Sequence, residues 1–157
     1  MPLPEDIARF IGQTTSLVYE VEKGAIARFA GAVGETNPLY YDEEYARKSR
    51  YGAIIAPPGF FGWPEGQTGD SSANLVTLIS ALSKAGYRRI LDGGIDYEFS
   101  RPVRAGERLT VTTTIKNIME RTGKAGKIVF MVRETTYTNQ NGELAVKTRQ
   151  TTIHSEG

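Results

Sequence analysis

The stretch SSANLVTLISALSKAG, residues 71–86, decides the fold of this chain. Its large apolar residues recur at the i, i+3, i+4, i+7 spacing of one helix face: Leu75, Leu78, Ile79 and Leu82. Ser71 or Ser72 can cap the start of the helix, and Gly86 closes it. The spacing therefore predicts an amphipathic helix whose apolar face is buried against another layer.

The chain that follows this helix reads as strands throughout. Apolar and polar residues alternate in two segments, a third is apolar on both faces, and Asn141-Gly142 is a hairpin signal before the fourth. These segments are residues 95–99, 109–115, 128–132 and 144–153. Before the helix, the patterns predict a strand over 15–22, a short helix over 26–33 and a helical turn capped by Asp42. The prediction is an α+β fold, an antiparallel sheet around one long helix, in a single domain spanning residues 1–157.

Composition narrows the possible functions. The 157 residues carry a formal net charge of +1 and no cysteine, so disulfides and thiolate zinc sites are excluded. The charge balance gives no reason to expect a nucleic-acid partner, and no apolar run is long enough to span a membrane. Nucleotide-binding glycine motifs and metalloprotease motifs are absent, so we expect neither a cofactor nor a metal. With no signal peptide at the start, we expect a cytoplasmic protein.

The chain is poor in residues for acid–base chemistry. Its single histidine is His154, three residues from the end of the sequence. Chain ends commonly fray, so we expect this side chain to be exposed to solvent. A general acid or base must then be a carboxylate, a tyrosine or a lysine, or must come from another subunit.

A second stretch carries the chemistry: FAGAVGETNPLYYDEEYA, residues 29–46. It resembles the signature of MaoC-like (R)-specific enoyl-CoA hydratases and 3-hydroxyacyl dehydratases, A-x-x-x-G-D-x-N-P-x-H-x-D-x-x-x-A. The matching positions are Gly34, Asn37, Pro38, Asp42 and Ala46. Glu35 stands where the family has its catalytic aspartate, and Tyr40 stands where it has its catalytic histidine.

The resemblance covers nearly the whole chain. Residues 54–59, IIAPPG, are similar to the family's segment at the start of the hot-dog helix, and residues 100–107 to its later strand entry. Together with Leu91-Asp92-Gly93-Gly94, the Ala-Pro-Pro variant looks most like the FAS1-like N-terminal dehydratase domain. The resemblance implies a hot-dog fold, with Ala56, Pro57 and Gly59 at the acyl-thioester site and the Gly59 N–H as an oxyanion donor.

The resemblance also implies a reaction, the addition of water across an α,β-unsaturated thioester or its reverse. Glu35, Tyr40 and Asn37 are then the candidate catalytic residues, as degenerate counterparts of the family's set. Glu35 is one methylene longer than aspartate, which shifts the reach of its carboxylate by about an ångström. Tyrosine has an ordinary pKa of about 10 and is a poor base at neutral pH.

Three functions remain open. The leading hypothesis is the degenerate half of a two-chain hydratase or dehydratase, in which a hot-dog partner supplies the aspartate and the histidine in a heterodimer or heterotetramer. The alternatives are a self-sufficient homodimeric hydratase or acyl-CoA thioesterase that uses Glu35 and Tyr40, and a non-enzymatic acyl-CoA binding module. In each case the ligand is an acyl-CoA or acyl-carrier-protein thioester, and its acyl chain is open.

Overall fold

A computed structural model describes residues 3–61, 70–124 and 126–157, with the backbone alone for 70–74. Nine helices and strands lie within these residues. In chain order they are α1 (Glu5–Ala8), β1 (Thr14–Glu20), α2 (Lys23–Ala32), α3 (Glu43–Lys48), α4 (Asp70–Lys84), β2 (Tyr87–Phe99), β3 (Arg108–Gly123), β4 (Gly126–Asn139) and β5 (Leu144–Glu156). Two 3₁₀ turns, Pro38–Tyr40 and Pro58–Phe60, lie in the segments between them.

The five strands form one antiparallel sheet in the order β1-β3-β4-β5-β2. Hairpins join β3, β4 and β5, which occupy the centre of the sheet. Strand β2 follows α4 and pairs only with β5 in the described part of the chain, so it forms one edge of the sheet. The predicted α+β arrangement, a sheet around a long helix, is confirmed.

Helix α4 packs on the sheet through two leucines. Leu78 and Leu82 are fully buried with Val129 and Met131 of β4. Ile79 differs from the prediction, since it is only partly buried and Ala81 contributes to this cluster instead. The contact face of the helix is therefore rotated from the predicted stripe toward Ala81. The predicted caps Ser71 and Ser72 lie outside the residues whose side chains are described.

The core consists of two apolar clusters. The cluster beneath α4, which we call the helix cluster, also contains Ile7 and Phe10 from the N-terminal segment. The second, the loop cluster, lies beneath α2, α3 and the two 3₁₀ turns and contains Phe60, Phe61 and Tyr137. Aromatic rings meet edge to face there, with 5.2 Å between the centroids of Phe61 and Tyr137. The loops before α4 are thus held by their own core.

Strand β2 is longer than its alternating pattern predicted. It begins at Tyr87, directly after α4, and Gly93 and Gly94 lie inside it at an irregularity in its pairing with β5. Gly94 has a φ of 127°, and a Cβ on Gly93 would lie 2.9 Å from the Thr151 carbonyl oxygen. Only glycine fits this bend, so the strand runs through the pair and begins eight residues before the predicted 95–99 segment.

The Asn141-Gly142 turn matches its prediction. The Asn139 Oδ1 atom accepts the N–H groups of Asn141 and Glu143, and Gly142 takes a φ of 79°. The short helix α1 carries no sequence periodicity that would have predicted it. No helix in the described ranges is long and apolar enough to cross a membrane.

Candidate active site

The loop after α2 holds the first candidate catalytic residue, Glu35, on the outside of the molecule. Gly34 ends the helix with a φ of 74°. The Glu35 carboxylate then turns back on its own loop, where Oε1 accepts the N–H groups of Thr36 and Asn37, both at 2.9 Å. The Glu35 carbonyl oxygen accepts the Tyr41 hydroxyl at 2.5 Å. One carboxylate oxygen is therefore occupied in shaping the turn.

Asn37 and Asp42 match the family pattern, and both cap the turns that follow them. Asn37 Oδ1 accepts the Leu39 N–H at 3.0 Å, at the start of the Pro38–Tyr40 turn. Asp42 Oδ1 accepts the N–H groups of Glu44 and Tyr45, at 2.9 and 3.0 Å, at the start of α3. Both bonds satisfy backbone donors that a helix start leaves unpaired. The matched positions thus fold the loop, and that is the only role their contacts show.

Tyr40, the other candidate catalytic residue, lies half-buried beside Glu35. Burial raises the pKa of its hydroxyl above the usual value, and the nearby Glu35 carboxylate and Tyr51 raise it further. The phenol therefore stays protonated at neutral pH and can donate a hydrogen bond, whereas its capacity as a base is lower than that of a free tyrosine. The effect of Glu35 on this pKa places its carboxylate near the Tyr40 phenol, and a catalytic role for the two residues stays a prediction.

Tyr40 borders a hollow of about 410 Å³ between the loop region and the end of β2. Ala56, Pro58, Phe61 and Phe99 supply much of its apolar wall. Of the three predicted substrate-binding residues, Ala56 lines this hollow, whereas Pro57 and Gly59 do not. Ala56 is buried in the wall itself, where its N–H donates to the Val103 carbonyl oxygen at 2.8 Å. The hollow is large enough for a part of a small ligand.

Pro57 and Gly59, the other two predicted substrate-binding residues, lie behind this wall. Pro57 is buried, and Gly59 sits in the Pro58–Phe60 turn rather than at the start of α4, which begins at Asp70. A Cβ on Gly59 would come within 3.1 Å of the Phe29 ring. A side chain at this position would therefore crowd the Phe29 ring of α2 and require it to shift.

Two guanidinium groups give the rim of the hollow a positive charge. Arg50 donates to the Tyr51 hydroxyl at 2.6 Å, and its guanidinium lies 4.8 Å from the centroid of the Tyr51 ring. Arg101 is half-buried and is paired with Glu107 at 3.0 Å. Arg50 has no carboxylate partner among the described residues, so its charge remains available to an anionic ligand. Sequence analysis missed this residue because a single surface arginine carries no pattern.

His154 contradicts the expectation of an exposed chain end. It lies on β5 with 1% of its surface exposed, and its Nε2 atom is 3.1 Å from the Thr152 hydroxyl. Burial lowers the pKa of the imidazole below its usual value, and Arg133 lowers it further. The loop carrying Glu35 is exposed, whereas His154 is enclosed within the sheet layer, and no contact joins them. A buried neutral histidine of this kind does not complete a catalytic pair with Glu35.

Comparison with known proteins identifies the family. The family model described as "FAS1-like, dehydratase domain region" matches residues 9–148. A UPF0336 protein of Streptomyces griseus is 35% identical over 140 residues, 87% of each chain. A protein of Thermomonospora curvata named "Probable enoyl-CoA hydratase alpha subunit" is 26% identical, over 91% of this chain and 47% of its own length.

Solved structures show the same fold. In the ChsH1-ChsH2 complex from Mycobacterium tuberculosis, a chain superimposes with a TM-score of 0.79 over 97% of this chain and 90% of its own, at 17% identity. In a HadBC (3R-hydroxyacyl-ACP dehydratase) complex from the same organism, the TM-score is 0.68 over 92% and 96% of the two chains, at 23% identity. These likenesses confirm the predicted hot-dog fold. The chain belongs to the family of the FAS1-like dehydratase domain region and has the hot-dog fold.

Proposed function

We propose that this chain is the degenerate half of a two-chain (R)-specific enoyl-CoA hydratase or 3-hydroxyacyl-thioester dehydratase. It shapes the acyl-thioester site, and a hot-dog partner subunit supplies the catalytic aspartate and histidine. The observation that carries the proposal is the state of the Glu35–Tyr40 pair. One carboxylate oxygen is held by two backbone N–H groups, and the phenol has a raised pKa.

The reaction explains why this pair is insufficient. Adding water to an enoyl thioester requires a base for the water and an acid that protonates the α-carbon, both near neutral pH. A tyrosine with a raised pKa cannot take a proton from water under those conditions. The one histidine of the chain, His154, is buried in β5 opposite Val129 of the helix cluster, whereas the segment after α2 packs on the loop cluster through Leu39. A second chain must then contribute the titrating group.

The exposed edge of β2 supports a partner at this site. Ile90, Leu91 and Phe99 on this strand are 50%, 60% and 48% exposed, which is unusual for large apolar side chains in a sheet. Phe99 also lines the 410 Å³ hollow. A partner strand that paired with β2 would bury these side chains and border the hollow. The site would then lie between the two chains.

The comparisons support the same arrangement. Two of the structural neighbours come from complexes, ChsH1-ChsH2 and HadBC, and one relative carries the name of an alpha subunit. In such an assembly Arg50, on the rim of the hollow, would meet the phosphates of CoA or the phosphopantetheine of a carrier protein. Ala56 and Phe61 would contact the acyl portion.

A titration tests the proposal. The concentration of this chain is fixed, a histidine-bearing hot-dog partner is added, and the loss of the enoyl-thioester absorbance is followed. Activity should be nearly absent at the start and rise until the two chains are present in equal amounts. Replacing the partner's histidine should abolish it, whereas Tyr40→Phe in this chain should change it little.

The matched control is the partner titrated alone over the same concentrations. If this chain by itself turns over enoyl-CoA at about 10 s⁻¹, an ordinary enzyme rate, the two-chain proposal is wrong and Glu35 becomes the leading base. A homodimer that hydrolyses acyl-CoA instead would identify a thioesterase.

A further inference from the structure

A band of polar side chains crosses the inner face of the sheet between the helix cluster and the loop cluster. On β4, Met131 belongs to the helix cluster and Tyr137 to the loop cluster, so residues of this parity point inward. Arg133 and Thr135 lie between them with the same parity. Across the band, Thr135 hydrogen-bonds Thr113 at 2.9 Å.

On β5 the band continues with residues of matching register. Gln150 lies opposite Arg133 and Thr148 opposite Thr135, and His154 adjoins the band opposite Val129 of the helix cluster. Thr148 and His154 are 2% and 1% exposed. Polar groups at this depth are ordinarily satisfied by partners in the protein. Here the partners are incomplete.

Arg133 is the member with the largest deficit. Its Nη2 atom donates to Gln150 Oε1 at 2.5 Å, and its buried Nε–H has no hydrogen-bond partner in the described part of the chain. No carboxylate lies within ion-pair distance of it among the described residues. Burial lowers the pKa of its guanidinium, yet an arginine side chain keeps its proton in proteins. Asp92 and Tyr137 favour its charged form, but the Asp92 carboxylate lies beyond ion-pair distance. A half-buried cation without an ion pair is costly to stability.

His154 has the same deficit on the same face. Its Nε2 atom is close to the Thr152 hydroxyl, while the buried Nδ1 atom has no hydrogen-bond partner within residues 3–61, 75–124 and 126–157. Two buried nitrogen atoms, from different strands, are therefore unsatisfied on the inner surface of one sheet. A band kept for stability alone would be expected to satisfy both.

We propose that Arg133 and Gln150 form a subsite for an oxygen atom, a carboxylate or carbonyl, on the acyl group of the thioester at a distance from the reacting carbons. This inference rests on the proposed function. The guanidinium Nε–H supplies the charge-assisted donor, and Gln150 fixes the orientation of the guanidinium. The acyl group recognised would therefore carry a polar substituent rather than a plain hydrocarbon end.

The distance to the hollow suits such a ligand. Phe61 forms part of the wall of the hollow and contacts Tyr137, which lies four residues along β4 from Arg133. At about 3.3 Å per residue that separation is about 13 Å, the span of a medium-length acyl chain. The Phe61 and Tyr137 rings of the loop cluster lie between the hollow and Arg133, and an apolar acyl chain that reached Arg133 would pack against them.

The melting temperature distinguishes a ligand-binding role of Arg133 from a purely structural one. If Arg133 held the fold together, its replacement by a neutral side chain of similar length would lower the melting temperature. If it is an uncompensated cation kept for a ligand, Arg133→Met should leave the melting temperature unchanged or raise it. The substitution would then weaken binding of the polar acyl group without lowering the melting temperature.

The experiment measures binding by calorimetry, with two saturated thioesters that cannot react. These are decanoyl-CoA and the mono-CoA thioester of decanedioic acid, which differ only by a terminal carboxylate. The wild-type complex with its partner should bind the carboxylated thioester more tightly by about tenfold or more, the range of a charge-assisted hydrogen bond. Arg133→Met should abolish this preference and retain the affinity for decanoyl-CoA. The matched control is Arg149→Met, an exposed arginine on the opposite face of β5, which should keep the preference.

Each other outcome overturns the inference. Equal affinity of the wild type for the two thioesters, or a preference that survives Arg133→Met, excludes the subsite. A lower melting temperature of Arg133→Met with the preference intact assigns the arginine to structure. If the complex turns over decenoyl-CoA but binds the two saturated thioesters equally, the proposed function stands and the subsite is excluded. If the complex binds neither thioester, the proposed function and the subsite are both overturned.

Discussion

Polar side chains have opposite environments in two regions of the molecule. One region is the outer loop, with Glu35, Asn37 and Asp42, and the other is the inner polar band, with Arg133 and the adjoining His154. In the loop, each side chain is exposed and accepts hydrogen bonds from backbone N–H groups within three residues. In the band, the side chains are buried or half-buried, and two of their nitrogen atoms have no hydrogen-bond partner among the described residues. The residues that match the family pattern thus build local structure, and the buried residues that the pattern omits remain incompletely satisfied.

This difference distinguishes a sequence motif that is kept for local structure from a buried polar group that lacks a hydrogen-bond partner. A short motif such as Asn37 to Asp42 persists when its residues cap turns, even in a chain whose neighbouring acid and base have changed. An unsatisfied buried group has no such local use, because leaving its hydrogen bond unmade has a free-energy cost. In this chain, sequence similarity therefore identifies the fold, and the unsatisfied buried nitrogen atoms are the basis of the proposed subsite.

The largest effect on stability should come from a charged substitution in the helix cluster, which borders the polar band. Leu78→Asp places an unpaired carboxylate in the fully buried helix cluster, at a cost of several kcal/mol against a total stability of about 5–15 kcal/mol. We expect loss of the cooperative melting transition, measured by circular dichroism. The matched control is Val76→Asp on the same helix, where the side chain is 63% exposed, and it should melt close to the wild type. A folded Leu78→Asp variant would mean that α4 packs on another face.

The second prediction concerns the outer loop and is smaller. Asp42→Ala removes a side chain that accepts two N–H groups at the start of α3, and helix caps contribute about 1 kcal/mol. In a chain of this size, that loss should lower the melting temperature by about 2–4 °C in scanning calorimetry. Glu44→Ala, in which only an exposed ion pair with Lys48 is lost, should leave it nearly unchanged. An equal fall in both variants would contradict the structural role of the loop.

The sequence predicted the fold well and the interior of the site poorly, for physical reasons. Period-two alternation and the leucine spacing report which faces are buried, so the four later strands and α4 were predictable. His154 was misjudged because closeness to the chain end was given more weight than parity. It shares its parity on β5 with Val146 and Thr148, which are buried, and that alternation was the available signal.

Arg133 shows where sequence reasoning reaches its limit. Its parity with Met131 places it inward, yet arginines are rarely buried, so the pattern alone favours a solvated side chain. Its lack of a carboxylate partner depends on which strands are neighbours, and only the fold determines that. The same holds for the edge of β2, whose exposed apolar side chains become informative once the strand order is known.

The smallest effect separates the two regions by pH. Burial, and to a lesser extent Arg133, lower the pKa of His154 in the folded protein, so the unfolded chain binds this proton at a higher pH. The contribution of His154 to stability is therefore fully present above its ordinary pKa of about 6.5 and is lost as the pH falls through the folded value. The wild type should show a fall in melting temperature below about pH 6.5 that His154→Gln lacks, with both proteins compared in the same buffers.

At pH 8 the substitution affects only packing and the hydrogen bond to Thr152. The buried imidazole is therefore reported by the difference between the two proteins in the slope of melting temperature against pH, and not by their difference in stability at one pH. Parallel slopes would show that this histidine is protonated equally in the folded and unfolded states, and the inner band would then be open to water like the outer loop.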